Sequence, residues 1–500
     1  MRLPAVAFAA VAINLAITLP LAALLNIWQD EAYTLHTTGS GIGYAFAQAI
    51  GFEQNAPLYF VLMTVWRHFG DGVFHLRLFS VLCIAVTVLL TPGIARRYVP
   101  DVNPILPTIA VACNPFVVWA ALEMRVYALI VLVSALLLVT FHDAFAKKSP
   151  SAASAAGYAA CVAVALYTQY YLAFLIAAQA ISVVIYYRRS LLRFTLAAAA
   201  GALAFVPMLA IIPGQVQNFK DGFASPSLFR AIVGLAGILL RYVLPLPVAH
   251  SKVFYAVVVA GIALLVLVAR PRPMGSGNAP VVVTTACAVL LFAAGTYASG
   301  VHVLDRHAAS LYLLSTICVF ALFSYLPASV ERRTALVWSC LLVVLSLLVL
   351  GRTYRALAKP GDWPRVAAYI RGHESAGQPI AVFEAENALP LSFYYRGQNR
   401  VVPIPHGVDF RRYRVSRFVI HDDAELIAAM PPERGLWLVT AGACVSANVQ
   451  FGCIALERFV DRCYRVESDV QFFGSEVRRL ERRSVGSAAS SKFPTGCWNI

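Results

Sequence analysis

The sequence predicts a polytopic α-helical membrane protein of about eleven transmembrane helices followed by a small C-terminal α/β soluble domain. Three observations carry that expectation. The 500 residues are 60% hydrophobic and only 13% charged, against about 25% charged in ordinary soluble domains. Residues 1–351 hold 20 basic and 10 acidic side chains, whereas residues 352–500 hold 20 and 15, so a sparsely charged stretch is joined to one of ordinary soluble composition. The cations of the first part stand in short arginine clusters at the ends of apolar runs, as in membrane loops, with no basic stripe of the kind that binds nucleic acid. The net charge of +15 therefore reports topology, and no nucleic-acid partner is expected. Disorder, collagen and small disulfide scaffolds are excluded by the same composition.

Runs of about 17 to 25 apolar residues can cross a hydrocarbon core of about 30 Å. Eleven are read, at 4–25, 76–95, 104–121, 125–145, 153–170, 172–187, 194–212, 252–269, 280–298, 308–327 and 334–351. The first outruns a signal-peptide apolar core of about 7 to 15 residues and reads as a retained span. With the N-terminus in the cytoplasm, Arg2, Arg96, Arg97, Lys147, Lys148, Arg188, Arg189, Arg193, Arg270, Arg272, Arg332 and Arg333 all fall inside. Segment 229–249 is apolar enough for a twelfth span but carries Arg241 at its middle, with Pro245 and Pro247 after it. A charge at the bilayer centre costs at least about 2.5 to 3.5 kcal/mol, so this segment reads as an external helix at the interface or lining a cavity. The odd count places residues 352–483 on the periplasmic side of a bacterial inner membrane, with 484–500 a flexible tail.

The first outside loop, about residues 26–75, is far longer than a helix connection needs. It opens with Asp30 and Glu31, carboxylates emerging from a span where a lipid head group is presented. One of them near the low-dielectric boundary suits a general base; the plainer alternative is that the two cap a juxtamembrane helix. Arg125, at the junction of the third and fourth spans, offers a planar fork for phosphate, with Glu123 placed to hold it; a structural Glu/Arg pair is the alternative. Arg306 is a second phosphate candidate and Lys220 a third, although a loop lysine is ordinarily just solvated. His302, Asp305 and His307, with His36, are the residue types a divalent metal takes, but their spacing matches no strong ligand motif and a polar loop is the leading reading; no cofactor is firmly expected. Tyr170, in Tyr167–Tyr171 at the end of the fifth span, is either part of an interfacial aromatic belt or a sugar contact.

Taken in order over about residues 20–190, these features resemble a known group. The loop opening with Asp30-Glu31, the run Ala56-Pro57-Leu58-Tyr59-Phe60, the stretch from Gly70-Asp71 to Ser80, and Glu123-Met124-Arg125-Val126-Tyr127-Ala128-Leu129 look like the GT-C membrane glycosyltransferases. Within them the chain is most similar to the family of protein O-mannosyltransferases, lipid A aminoarabinose transferases and lipopolysaccharide galacturonosyltransferases. The stretches from Lys359 to Ile370 and from Pro390 to Tyr395 resemble the outside domain of the galacturonosyltransferase-like members. The resemblance implies an enzyme that takes a sugar from a polyprenyl-phosphate donor and attaches it, with inversion, to a hydroxyl of a lipid, glycan or protein acceptor. Asp30 would be the base and Glu31 a neighbour that positions or tunes it. Arg125, oriented by Glu123, and Arg306 would hold the carrier phosphate. Tyr59, Asn55 and Tyr127, in or beside the matched motifs, would support the site. Where many relatives have Asp-x-His-Pro-Pro, this chain has Glu53-Gln54-Asn55-Ala56-Pro57, which weakens the expectation of a metal there.

In the C-terminal part, helix-like stretches at 363–373, 389–395 and 422–430 alternate with strand-like runs at 379–383, 401–404 and 436–440. No phosphate loop or nucleophile elbow occurs, so this domain is expected to steady the outer face or contact the acceptor. Of the cysteines placed outside, Cys444 and Cys453 are the nearest pair in sequence, and a disulfide is permitted there. The main rival reading is a transporter or flippase of a lipid-linked sugar, for which internal repeats and interrupted helices meeting at the midplane would be expected; no repeat occurs, and the unusual residues gather on the outer face.

Overall fold

The computed structural model describes residues 3–147, 149–222, 227–245, 278–300, 303–446 and 449–483. Among them, six helices are long and apolar enough to cross a membrane: Pro4–Leu24, Val73–Tyr98, Tyr127–Ala146, Ala279–Ala298, Asp305–Phe323 and Val330–Thr353. Four other expected spans occur as shorter or interrupted helices. Ala152–Thr168 and Leu172–Tyr186 are intact but short, and Arg188–Leu203 with Val206–Asn218 forms a pair bent by 63°. The expected 104–121 span is broken into Ile105–Cys113 and Pro115–Ala121. Pro115 has no N–H to continue the first half, so Asn114 caps the second by accepting from the Phe116 N–H at 2.9 Å. The expected 252–269 span lies outside the described residues.

A helix in hydrocarbon must satisfy its polar groups internally. Thr18, Thr87, Thr91, Ser134, Thr284, Thr285 and Thr316 each donate their hydroxyl to the carbonyl four residues earlier, at 2.7–3.0 Å, so none is a polar defect.

The two ends of the bundle differ. At one, Arg97 pairs with Asp143 at 2.7 Å where two long helices finish. At the other, the chain leaving the first helix and the chain leaving the last helix meet: Lys359 lies 2.8 Å from Glu31. A chain that enters its first span from one side and leaves its last on the other has crossed an odd number of times. The helix Leu228–Val243 presents Arg241 to this second end, where it forms a two-pronged pair with Asp305 at 2.6 and 3.2 Å. The charge that is awkward for a span is thus neutralised beside the loops.

The C-terminal part forms β1 (Ile380–Phe383), β2 (Val401–Pro403), β3 (Gly435–Ala441), the small pair β4 (Val445–Ser446) and β5 (Val449–Gln450), then β6 (Tyr464–Phe472) and β7 (Ser475–Arg482). Five strands make one sheet in the order β2-β1-β3-β7-β6, parallel from β2 to β3 and antiparallel beyond. Strand side chains alternate between faces: Ile380 and Val382 pack with Trp363 and Ile370 on one, Ala381 and Phe383 with Leu426 and Phe459 on the other. Coverage on both faces explains why β1 and β3 read as unbroken apolar runs. The hairpin β6–β7 and the helix Cys453–Cys463 were not among the sequence expectations. Cys444 and Cys453 form a disulfide.

Candidate active site

The loop after the first helix is itself helical over Gln29–Thr37, Ile42–Gly51 and Leu58–Arg67. The first of these carries Asp30 and Glu31 and turns them in different directions. Glu31 points into the protein and is fully buried. It accepts two bonds from Arg77 at 2.9 and 3.1 Å, one from Lys359 at 2.8 Å and one from the Met124 N–H at 3.0 Å. Arg77 also donates to the carbonyls of Ala22, Leu25 and Asn26, the unpaired end of the first helix. Burial alone would raise the Glu31 carboxyl, but Arg77 and Lys359 outweigh it and hold it below its usual range.

Asp30 faces a cavity of about 420 Å³ enclosed by the first loop, the junction at Arg125, the ends of several long helices and the C-terminal domain. Its carboxylate accepts from Arg306 at 3.0 Å and is 13% exposed. Arg125 also lines the cavity. It donates to Glu53 at 2.9 Å, to the Thr34 hydroxyl at 3.0 Å and to the Asp30 carbonyl at 3.2 Å, while its Nε is buried with no partner. Burial raises the Glu53 carboxyl despite Arg125. Arg306 lies over the Trp28 ring and Arg125 over Phe60, at 5.9 and 5.8 Å, faces that attract a cation. On this side of the cavity the Arg125 and Arg306 guanidiniums therefore stand with the carboxyl groups of Asp30 and Glu53 in one enclosed volume.

The C-terminal domain supplies the opposite wall. Glu384 and Glu386 follow β1 directly and line the same cavity. Glu386 accepts from the hydroxyls of Tyr33 and Tyr413. Burial, with Glu386 nearby, pushes the Glu384 carboxyl up to about 8; burial, against the Tyr33 hydrogen bond, brings Glu386 to about 7. The remaining flank is largely apolar, formed by Tyr171, Phe174, Ile212, Val216 and Gly295.

Of the sequence candidates, Asp30, Arg125, Arg306, Tyr127, Asn55 and Tyr170 are brought to this cavity. Several expectations are corrected. Glu31 does not reach the cavity, because Arg77 and Lys359 claim it. Glu123 does not hold Arg125: it pairs with Lys359 at 2.8 Å and accepts from the Trp28 indole, and Glu53 takes the place expected of it. Burial pushes the Glu123 carboxyl up to about 7. Tyr59 is fully buried among Phe60 and Phe79, away from the cavity lining. Lys220 falls in the helix Ile212–Gly222, but its side chain lies outside the described residues, as does His302. Among the described residues no group of three or more His, Cys, Asp or Glu side chains is placed to hold a metal. Asp305 is engaged by Arg241, His307 accepts from the Leu304 N–H, and His36 stacks on Phe410, so these three described members of the candidate metal set are each engaged elsewhere. Glu53, Glu384 and Glu386 had no assigned role in the sequence. The one signal for the last two was a pair of acidic residues just past a predicted strand.

Residues 54–212 match the family described as dolichyl-phosphate-mannose-protein mannosyltransferase. No curated protein matches the chain. Among solved structures, ArnT from Cupriavidus metallidurans bound to undecaprenyl phosphate is similar with a TM-score of 0.56 at 13% identity, covering 94% of this chain and 97% of that one. The oligosaccharyltransferase AglB from Archaeoglobus fulgidus, in complex with an inhibitory peptide and a dolichol-phosphate, gives 0.48 at 10% identity over 93% and 73%. The likeness to ArnT extends over nearly the whole of both chains and shows a common fold.

Proposed function

We propose that this chain, a multi-pass membrane glycosyltransferase of the GT-C superfamily, takes a sugar from a polyprenyl-phosphate carrier and attaches it to a hydroxyl of a cell-envelope lipid, glycan or protein at the periplasmic face of a bacterial inner membrane. The observation that carries this reading is the joint presence of the Asp30 carboxylate and the Arg125 and Arg306 guanidiniums in one cavity with an apolar flank. The carrier tail follows the apolar flank, and its phosphate takes up the donors of the two arginines. Asp30 removes the proton of the acceptor hydroxyl as its oxygen forms a bond to the anomeric carbon. The bond from that carbon to the phosphate oxygen breaks, and its electron pair leaves with the polyprenyl phosphate. The developing phosphate charge is stabilised by Arg125 and Arg306. A single base on the acceptor side and a phosphate on the other give inversion, with no protein nucleophile in between. Glu53 and the Trp28 and Phe60 rings position the arginines. A transporter would place its site near the membrane midplane between repeats, whereas this cavity lies at one end of the bundle under the C-terminal domain.

Purified full-length protein in lipid nanodiscs, given polyprenyl-phosphate sugars and envelope extracts, tests the reading. Asp30→Asn is expected to lower turnover by about 10²- to 10⁴-fold and Arg306→Ala by about 10²- to 10³-fold, with thermal midpoints close to wild type. Full turnover in Asp30→Asn, or no transfer from any such donor by the wild type, would reject the mechanism.

A further inference from the structure

The wall opposite the arginines carries groups that the sugar-transfer step above does not use. Glu384 is 5% exposed, lines the cavity, and keeps one carboxylate oxygen buried without a partner. It stands at the carboxyl end of β1, whose following helix Ala388–Tyr394 packs on the Trp363 face, while the helix Cys453–Cys463 that follows β3 packs on the other. The crevice between the ends of two such parallel strands is where open α/β sheets bind ligands. The chain closes on it tightly: the Glu384 N–H and the Asn387 amide both donate to the Ala441 carbonyl, at 3.2 and 3.1 Å. Gly442, with φ +100°, leaves the space a Cβ would take within 2.6 Å of the Glu384 carboxylate.

We propose that Glu384 and Glu386 form the acceptor subsite and that the acceptor moiety they bind is a neutral carbohydrate, so that the sugar is added to a glycan; this rests on the glycosyltransferase reading above. Three features select that chemistry. A carboxyl group, protonated or ionised, presents two oxygens side by side and so pairs with adjacent sugar hydroxyls, which both donate and accept. Tyr33, Phe52, Tyr413 and Phe451 line the same cavity and supply the apolar ring surface that suits the C–H side of a sugar. Glu386 accepts from Tyr33, three residues from Asp30 on the same helix, which puts the subsite beside the base. A phosphate or uronate at the same place would meet two acids, and among the described residues no lysine or arginine of the C-terminal domain lines the cavity. An unpaired buried carboxyl costs stability, and the wall bears that cost only in the absence of a ligand.

Saturation-transfer NMR on the full-length protein in nanodiscs, with neutral methyl glycosides, methyl glucuronide and an acetylated Ser/Thr peptide amide as probes, tests this. The neutral glycosides are expected to bind, and Glu384→Gln and Glu386→Gln to weaken them about tenfold or more. Both variants should keep or raise the thermal midpoint, which a merely structural role would lower. Undecaprenyl phosphate binding, measured on the same samples, should be unchanged. The proposal is overturned if no neutral glycoside binds, if the glucuronide or the peptide binds as well, or if both variants bind like wild type. Loss of undecaprenyl phosphate binding in the wild type would instead count against the glycosyltransferase reading.

Discussion

Asp30 and Glu31 are neighbours of the same chemical type, and their surroundings give them different work. The helix turns one toward solvent-accessible space and the other into contact with Arg77 and Lys359. Glu31, Glu123, Arg77 and Lys359 form a buried, charge-balanced cluster, and removing one member leaves another charge unpaired. Such a loss costs about 3 to 5 kcal/mol, so Lys359→Met is expected to lower the thermal midpoint by many degrees, while Asp30→Asn leaves it nearly unchanged. Equal midpoints for the two variants in a melting experiment would remove the distinction. The acids of the opposite wall predict a pH effect of known sign. Glu384 has a folded value of about 8, above the unfolded carboxyl near 4.5, so the folded state holds the extra proton between these values. Stability is therefore greatest at the acid end of this window and falls as pH rises from about 4.5 to about 8. Glu384→Gln should flatten that decline, read from thermal midpoints between pH 5 and pH 8.5; identical slopes would mean that Glu384 does not titrate there.

The helices carry the apolar flank of the cavity, and their spacing depends on one small residue. A Cβ on Gly295 would lie 2.1 Å from the Phe174 ring, so the Ala279–Ala298 and Leu172–Tyr186 helices approach closely only with glycine there. If the cavity holds a polyprenyl phosphate as proposed, Gly295→Ala, by pushing the helices apart, is expected to weaken the binding of undecaprenyl phosphate used as a probe, and Phe174→Ala in the same chain to restore part of it. A double variant no better than the single one would show the two positions to be uncoupled. The helices themselves were legible in the sequence, because a span must be apolar for its whole length and its ends carry the arginines. The break at Asn114-Pro115 was not, since the run reads as apolar across it. Partners distant in sequence were also beyond reach: nothing near Glu123 indicates that its cation is Lys359. Arg306 and Asp30, by contrast, were found separately, each by its position just outside a span. That Glu384 and Glu386 line the cavity was not legible, because no local motif marks a crevice that exists only once β1 and β3 lie side by side.

At the scale of the whole molecule, the membrane helices and the C-terminal domain form one device. Lys359, shortly after the last span, pairs with Glu31 of the first loop, Tyr394 accepts from the Ile27 N–H at 2.9 Å, and Glu386 receives the Tyr33 hydroxyl. This arrangement needs both chain exits on the same side, which makes the parity of crossings testable. Alkaline phosphatase fused after Ile500 should be active and a cytoplasm-dependent fluorescent reporter dark; the reverse pattern would require an even count. The same contacts predict that the halves do not separate. A chain ending at Thr353 loses Lys359 and leaves Glu31 and Glu123 with Arg77 alone, two buried acids on one base. It also strips one wall from the cavity, so the Asp30–Arg306 pair meets bulk water and its electrostatic leverage falls as the surrounding dielectric rises. The truncated chain should therefore fail to accumulate as monodisperse protein in detergent, and supplying residues 354–500 as a separate chain should restore part of the yield. A truncated chain that purifies normally and binds undecaprenyl phosphate with wild-type affinity would show that the donor half folds and functions without the domain, and that the domain serves the acceptor alone.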